Sequence, residues 1–368
     1  MATKVAAAKT ETGKSAGDAG GKGSGLAAMD ADGHILEHRA DILKYLEGPY
    51  KGRQTGLWPG CQPWDSSLGD TIGHPYEYFD HLSAAEQVKL WHRAMDENEI
   101  EKAILFPTGS GNVGKIQEPD FAIAAARACN THFAADYAGP RLKPMGVLPM
   151  RDPQAAAEEI RHASGKLGLI GFEILTTGMQ LGLGDPYYAP VLKAAEECGV
   201  VLCVHGTRHW AQEFGGDKLR TFSEVHSYSF PAGILLHFTS VIGQGVPLKY
   251  PKLKLGFMEV GATWLPYYLD RLDEHWEKRG HVDMPLLKEK PTNVFRKSKI
   301  NVSIEAGESM LGPTIEHVGA EHLMFATDIP HWDSEFPGNL RHLRADETIP
   351  DSAKKRILYH NAKELFGL

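Results

Sequence analysis

Short runs of β-type apolar residues alternate along the chain with longer stretches whose apolar positions have helical spacing. The apolar runs cover 26–34, 102–107, 142–148, 169–175, 200–205, 253–259, 300–304 and 323–327. They are nearly continuous in Val, Ile, Leu and Phe, as expected of parallel strands buried on both faces. Between them, Ser83-Ala84-Ala85-Glu86 reads as a capping box that opens a helix running to about Asn98. Asp152 before Pro153 opens another, with proline where a missing N–H does no harm. Helices are also expected over 121–133, 188–198, 223–243, 264–278 and 351–365, with an insertion at 280–296 and a long irregular loop at 48–80. Eight strand–helix steps predict an α/β fold, a single (β/α)8 TIM barrel with loop insertions at its C-terminal face. An open doubly wound sheet is the runner-up, weakened because no glycine-rich phosphate loop follows the first strand.

Composition narrows the setting. The net charge of -8 in 368 residues argues against a nucleic-acid or anionic-membrane partner. No apolar run is long enough to span a bilayer. The four cysteines, Cys61, Cys129, Cys198 and Cys203, have neither zinc-ribbon nor redox spacing, so a reducing, cytoplasmic setting is the default. Residues 1–25 hold almost no large apolar side chain and are expected to be a disordered tail, with the barrel over 26–368.

Polar residues at strand ends change the picture most. Met29-Asp30-Ala31-Asp32-Gly33-His34 puts two carboxylates and an imidazole at every second position, so on a regular strand they share a face. Later strands end in Glu173, His205, Glu259 and Asp328, with Arg208 and His209 just beyond His205. Each has a structural alternative: a hydrogen-bonded core histidine, an ion-paired carboxylate, a turn cap. Four carboxylates aimed at one barrel mouth would repel one another unless cations sit among them, and such a donor set suits a divalent metal.

Three stretches carry a family resemblance: Asp30-Ala31-Asp32-Gly33-His34-Ile35-Leu36-Glu37, Tyr250 to Gly261 with Trp264-Leu265-Pro266 and Arg271-Leu272-Asp273, and Ala326-Thr327-Asp328-Ile329-Pro330-His331. They resemble the amidohydrolase superfamily, and most of all its amidohydrolase-related branch, which includes aminocarboxymuconate semialdehyde decarboxylase and the hydroxybenzoate decarboxylases. The resemblance implies a (β/α)8 barrel with Asp32, His34, His205 and Asp328 at ligand positions. There are three departures, the first being Asp32 where the family more often has His or Glu. Where the decarboxylases carry a catalytic His before x-Gly, this chain has Glu259-Val260-Gly261. Glu173 stands where two-metal members of the superfamily carry a bridging carboxylate.

These departures point to a carboxylate-rich centre of two divalent ions, with Glu173 as the bridge and Glu259 as a further ligand. Iron or manganese is favoured by oxygen ligands, and zinc remains open. The main expectation is therefore hydrolysis of an ester, thioester, amide or related acyl bond of a bulky or cyclic small molecule by metal-activated water. Asp328 would be the acid/base, and Arg208, His209, His237 and His331 are candidates to steady developing charge. The alternative is single-metal, non-oxidative decarboxylation of an aromatic or unsaturated acid, with His237 or Glu259 replacing the missing His. A non-catalytic binding barrel is a third reading. A carrier on the substrate and a homodimer are left open. Trp58, Trp64, Tyr76, Tyr78, Trp210, Trp332 and Phe336 are candidates for an apolar wall at the mouth.

Overall fold

The computed structural model describes residues 26–51, 82–207, 214–305, 307–331 and 333–368. The expected tail at 1–25, most of the 48–80 loop, Arg208, His209, Trp210 and Trp332 lie outside these. Within them every strand pairs in parallel: Ala28–Ile35 (β1), Ile100–Pro107 (β2), Leu142–Pro144 (β3), Gly146–Val147 (β4), Gly171–Leu175 (β5), Val201–His205 (β6), Lys254–Met258 (β7), Lys299–Ile304 (β8) and Leu323–Phe325 (β9). The β-ladders run β1-β2-β3 and β4 to β9. β3 and β4 are two halves of one strand position, broken at Met145, whose N–H still donates to Leu105 O on β2 at 2.8 Å.

The ring closes just past β9. Asp328 N–H donates to Asp32 O at 2.8 Å, and His34 N–H donates to Ile329 O at 2.7 Å. Eight strand positions thus form the TIM barrel that the apolar runs predict.

Helices follow each strand position: Ala84–Asn98 (α1), Pro119–Asp136 (α2), Pro153–His162 (α3), Ala189–Cys198 (α4), Phe222–Gly243 (α5), Trp264–Asp283 (α6), Leu311–Val318 (α7) and Gly338–Ala345 (α8). The capping box of α1 forms, with Ser83 N–H donating to Glu86 Oε2 at 2.9 Å. Asp152 caps α3, accepting from Gln154 N and Ala155 N at 3.0 Å each. The expected insertion at 280–296 is largely helical. Gly280 lets α6 continue because the Trp276 ring fills the space a Cβ would need, and Asp273 of α6 accepts from Thr292 N at 2.9 Å to anchor the helix Pro291–Arg296. α7 and α8 went unread because eight residues are too few for a clear helical period.

Two apolar layers result. Met29, Ala31, Ile104, Phe106, Val201, Cys203, Met258 and Met324 fill the barrel interior, closed below by Leu365 and Phe366 of the last helix. A larger layer packs strands against helices.

The strand carrying the candidate ligands is not regular. Between Asp30 and Gly33 the register of β1 against β2 slips by one residue, a bulge. The expectation that Asp30, Asp32 and His34 share a face is therefore corrected: the extra residue resets the alternation. Asp30 and Gly33 face the helical layer, where a Cβ on Gly33 would lie 2.3 Å from the Trp91 ring and 2.9 Å from Asp30 Oδ2. Asp30 is fully buried and accepts from Asp32 N, Thr327 N and Thr327 Oγ1 at 3.1, 3.0 and 2.6 Å. It pins the end of β9 onto β1 and supports the ligand positions from behind.

Asp30→Ala strands two buried N–H groups, at about 1–3 kcal/mol each. Urea unfolding of the metal-free variant is expected to show a loss of about 2–5 kcal/mol; Asp30→Asn, which keeps an acceptor, is expected to lose less.

Candidate metal centre

Seven polar side chains gather at the C-terminal mouth of the barrel. Asp32 and His34 come from β1, Glu173 from β5, His205 from β6, and Glu259, Asp328 and His331 from the turns after β7 and β9. Two of these turns have unusual backbone. Glu259 and Asp328 are non-glycine residues with left-handed φ of 68° and 56°, and such conformations cluster where a fold must aim a functional side chain. The turn after Glu259 needs Gly261, whose φ is 63° and whose Cβ would lie 2.5 Å from Glu308 Oε1. Glu308 in turn accepts from Ala262 N and Thr263 N, each at 2.8 Å.

Ligand atoms crowd around His34 Nε2, which is common to Asp32–His34–His205 and to His34–Glu259–Asp328–His331. His34 Nε2 lies 3.0 Å from Asp328 Oδ1 and 3.7 Å from Asp32 Oδ1, and His205 Nε2 lies 3.4 Å from Asp32 Oδ1. Atoms bound at about 2.1 Å to one ion are at most about 4.2 Å apart. All four of these atoms are buried and make no hydrogen bond despite their proximity. They therefore converge on shared space rather than pairing across a proton, which fits a divalent cation. His205 Nδ1 lies 2.8 Å from Gly206 O, a contact that leaves Nε2 free as the ligand nitrogen. Phe106 floors the site, its ring 5.2 Å from that of His205.

Electrostatics point the same way. Burial pushes the Asp32 carboxyl up and the His34 imidazole down from their ordinary values. Burial also opposes charge on His205 and His331, but Glu259 and Asp32 overcome it at the first and Asp328 and Glu259 at the second, so both imidazoles are held well above the ordinary range. Burial resists ionisation of Glu259 too, yet the His205 charge brings it down to about 2. The metal-free cluster thus balances its carboxylates with imidazolium, a task a dication performs better.

Glu173 is excluded from this convergence. Its Oε1 lies 3.8 Å from His205 Nδ1, the nitrogen turned away from Asp32. Among the described residues the groups able to hold an ion are Asp32–His34–His205 and His34–Glu259–Asp328–His331, which share His34 and omit Glu173. The expectation of two ions bridged by Glu173 is therefore corrected to a single metal-binding centre. Burial pushes the Glu173 carboxyl up to about 8, as befits a neutral side chain behind the site.

His237 lies apart. Its Nδ1 accepts from Leu183 N at 3.1 Å and its Nε2 donates to Thr176 O at 3.0 Å. Both nitrogens are committed to backbone groups away from the cluster, so its place as a catalytic candidate is withdrawn. Phe336 is buried rather than part of a mouth wall. Sequence reasoning missed Glu37, which accepts from Thr108 N and Gly109 N at 3.1 and 3.0 Å and shapes the loop after β2; only its proximity to the Asp-x-His stretch hinted at a role.

A cavity of about 310 Å³ opens onto Asp32, Glu259 and Asp328. Its wall also includes Glu305, Asp333 and Glu335, with His226 Nε2 3.8 Å from Asp333 Oδ2, and no Lys or Arg among the described residues. It is large enough for one substituted ring.

The chain is 24% identical over 284 residues to the 2-amino-3-carboxymuconate-6-semialdehyde decarboxylase of Dictyostelium discoideum, covering 76% of each chain. It is 26% identical over 324 residues to a gamma-resorcylate decarboxylase of Rhodococcus jostii, covering 82% of this chain and 95% of the relative. Among solved structures it is similar in fold to the 5-carboxyvanillate decarboxylase of Novosphingobium aromaticivorans complexed with manganese and 4-hydroxy-3-methoxy-5-nitrobenzoic acid. That match has a TM-score of 0.69 and 22% identity, and covers 94% of this chain and 97% of that one. These relatives are carboxy-lyases, and they overturn the expectation of acyl hydrolysis. Residues 29–368 match the family model described as Amidohydrolase, and the chain, with its parallel barrel and its ligand cluster at the barrel mouth, belongs to that family of enzymes.

Proposed function

We propose that the chain is a metal-dependent decarboxylase acting without oxidation on an aromatic or unsaturated carboxylic acid. The observation that carries this is the coincidence of decarboxylase relatives over three quarters of the chain with one convergent metal-ligand cluster at the barrel mouth. Asp32, His34, His205 and Asp328 would hold a single divalent ion. Manganese is favoured by the manganese in the similar structure, and a donor set of two carboxylates and two imidazoles accepts it. When bound, the ion supplies Lewis acidity to a substrate oxygen.

The protein's own residues do the rest. Loss of carbon dioxide leaves an electron pair on carbon that must take a proton. Glu259 replaces the expected His at this point. Its Oε2 lies 3.0 Å from His205 Nδ1, which holds the carboxylate at the cavity wall. Glu259 would take up a proton from solvent and pass it to the carbon, and solvent would restore it, while His205 keeps its own Nδ1 proton as a neutral ligand. The acidic wall favours a substrate whose remaining groups are hydroxyls or other hydrogen-bond donors and disfavours a second acid group. Hydroxybenzoates meet both conditions.

Manganese-loaded protein is expected to release carbon dioxide from members of a hydroxybenzoate panel; binding of metal with no carbon dioxide from any unsaturated or aromatic acid sinks the proposal. Glu259→Gln is expected to lower kcat by about 10²–10⁴-fold with manganese content unchanged. Loss of manganese along with activity would instead make Glu259 a ligand.

A further inference from the structure

We propose that His331 is a metal ligand, supplied by the turn after β9 and additional to Asp32, His34, His205 and Asp328. The inference rests on the metal-binding part of the function proposed above and not on the reaction assigned there.

Four observations carry it. His331 Nδ1 lies 2.8 Å from Asp328 Oδ1, the same oxygen that meets His34 Nε2 at 3.0 Å. Successive atoms from His331 Nδ1 through Asp328 Oδ1, His34 Nε2 and Asp32 Oδ1 to His205 Nε2 are thus as close as neighbouring ligands, with His34 Nε2 at the centre of the run. His331 also falls with His34, Glu259 and Asp328 in a group whose ligand atoms all lie within 4.8 Å of one another. Its far nitrogen, Nε2, lies 3.3 Å from Thr108 Oγ1 on the loop after β2. A ligand imidazole commonly has such a partner on its other nitrogen, which fixes the ring and the tautomer.

The backbone presents the ring for this purpose. The left-handed Asp328 starts a turn in which His331 N–H donates to Asp328 O at 2.8 Å. This folds the side chain back over the strand end that carries Asp328. The ring then lies on His34, with centroids 3.8 Å apart and planes 30° apart. A surface histidine would be free to turn outward. This one is held on both sides with Nδ1 facing the cluster.

The competing reading is a histidine that only hydrogen-bonds Asp328 from outside the coordination sphere. Metal affinity does not separate the two, because loss of an outer partner can itself cost about 10–100-fold. Counting directly coordinated imidazole nitrogens does. Pulsed electron paramagnetic resonance of the manganese(II)-loaded full chain is expected to find three in wild type, from His34, His205 and His331. Both His331→Ala and His331→Phe are expected to show two. The phenylalanine keeps the ring packed on His34, and circular dichroism confirms folding. Two nitrogens in wild type and both variants, or three in all, overturns the His331 assignment alone. A wild-type chain that takes up no manganese overturns the metal reading and this assignment together.

Discussion

The structure depends on the seam where the barrel closes. Asp32 and Asp328 are joined there by a backbone hydrogen bond of 2.8 Å, and His34 N–H reaches Ile329 O at 2.7 Å. The same three residues carry converging ligand atoms. Closing the fold and assembling the site are thus one event: each strand end positions the other's side chain. Asp30 secures this from the helical side by bonding both N–H and Oγ1 of Thr327. A β-bulge makes the arrangement consistent, turning Asp30 outward while Asp32 and His34 face the mouth.

This closure creates an electrostatic problem. It brings the carboxylates of Asp32, Glu259 and Asp328 into contact with three imidazoles in a poorly hydrated space. Burial alone would neutralise such groups. Here the imidazoles of His205 and His331 are charged by their carboxylate neighbours instead, while burial pushes that of His34 down, and several ligand atoms are left without a hydrogen bond. A divalent cation relieves both conditions. The strain at Glu259 and Asp328 is the cost of aiming two carboxylates at one place from different strands.

Much of this was legible in the residue order. Continuous apolar runs marked the parallel strands, and Ser83–Glu86 and Asp152–Pro153 marked helix starts that the structure keeps. The strand-end positions of Asp32, His34, His205 and Asp328 followed from where those runs stop. What a one-dimensional reading could not supply was direction. The bulge that separates Asp30 from Asp32 leaves no compositional mark. Glu173 sits at a strand end as a bridging ligand would, yet it meets His205 on the wrong nitrogen. His237 had the right chemistry, but a distant loop, through Leu183 and Thr176, uses both its nitrogens. An inferred pair of metals and the hydrolysis built on it came from counting carboxylates without knowing which faced inward.

The most direct test of the central account is a crystal structure of manganese-soaked protein with anomalous scattering recorded at the manganese edge. One peak in contact with Asp32, His34, His205 and Asp328, and none at Glu173, is the result predicted. Two peaks bridged by Glu173, or a peak away from the β1–β9 seam, would contradict it.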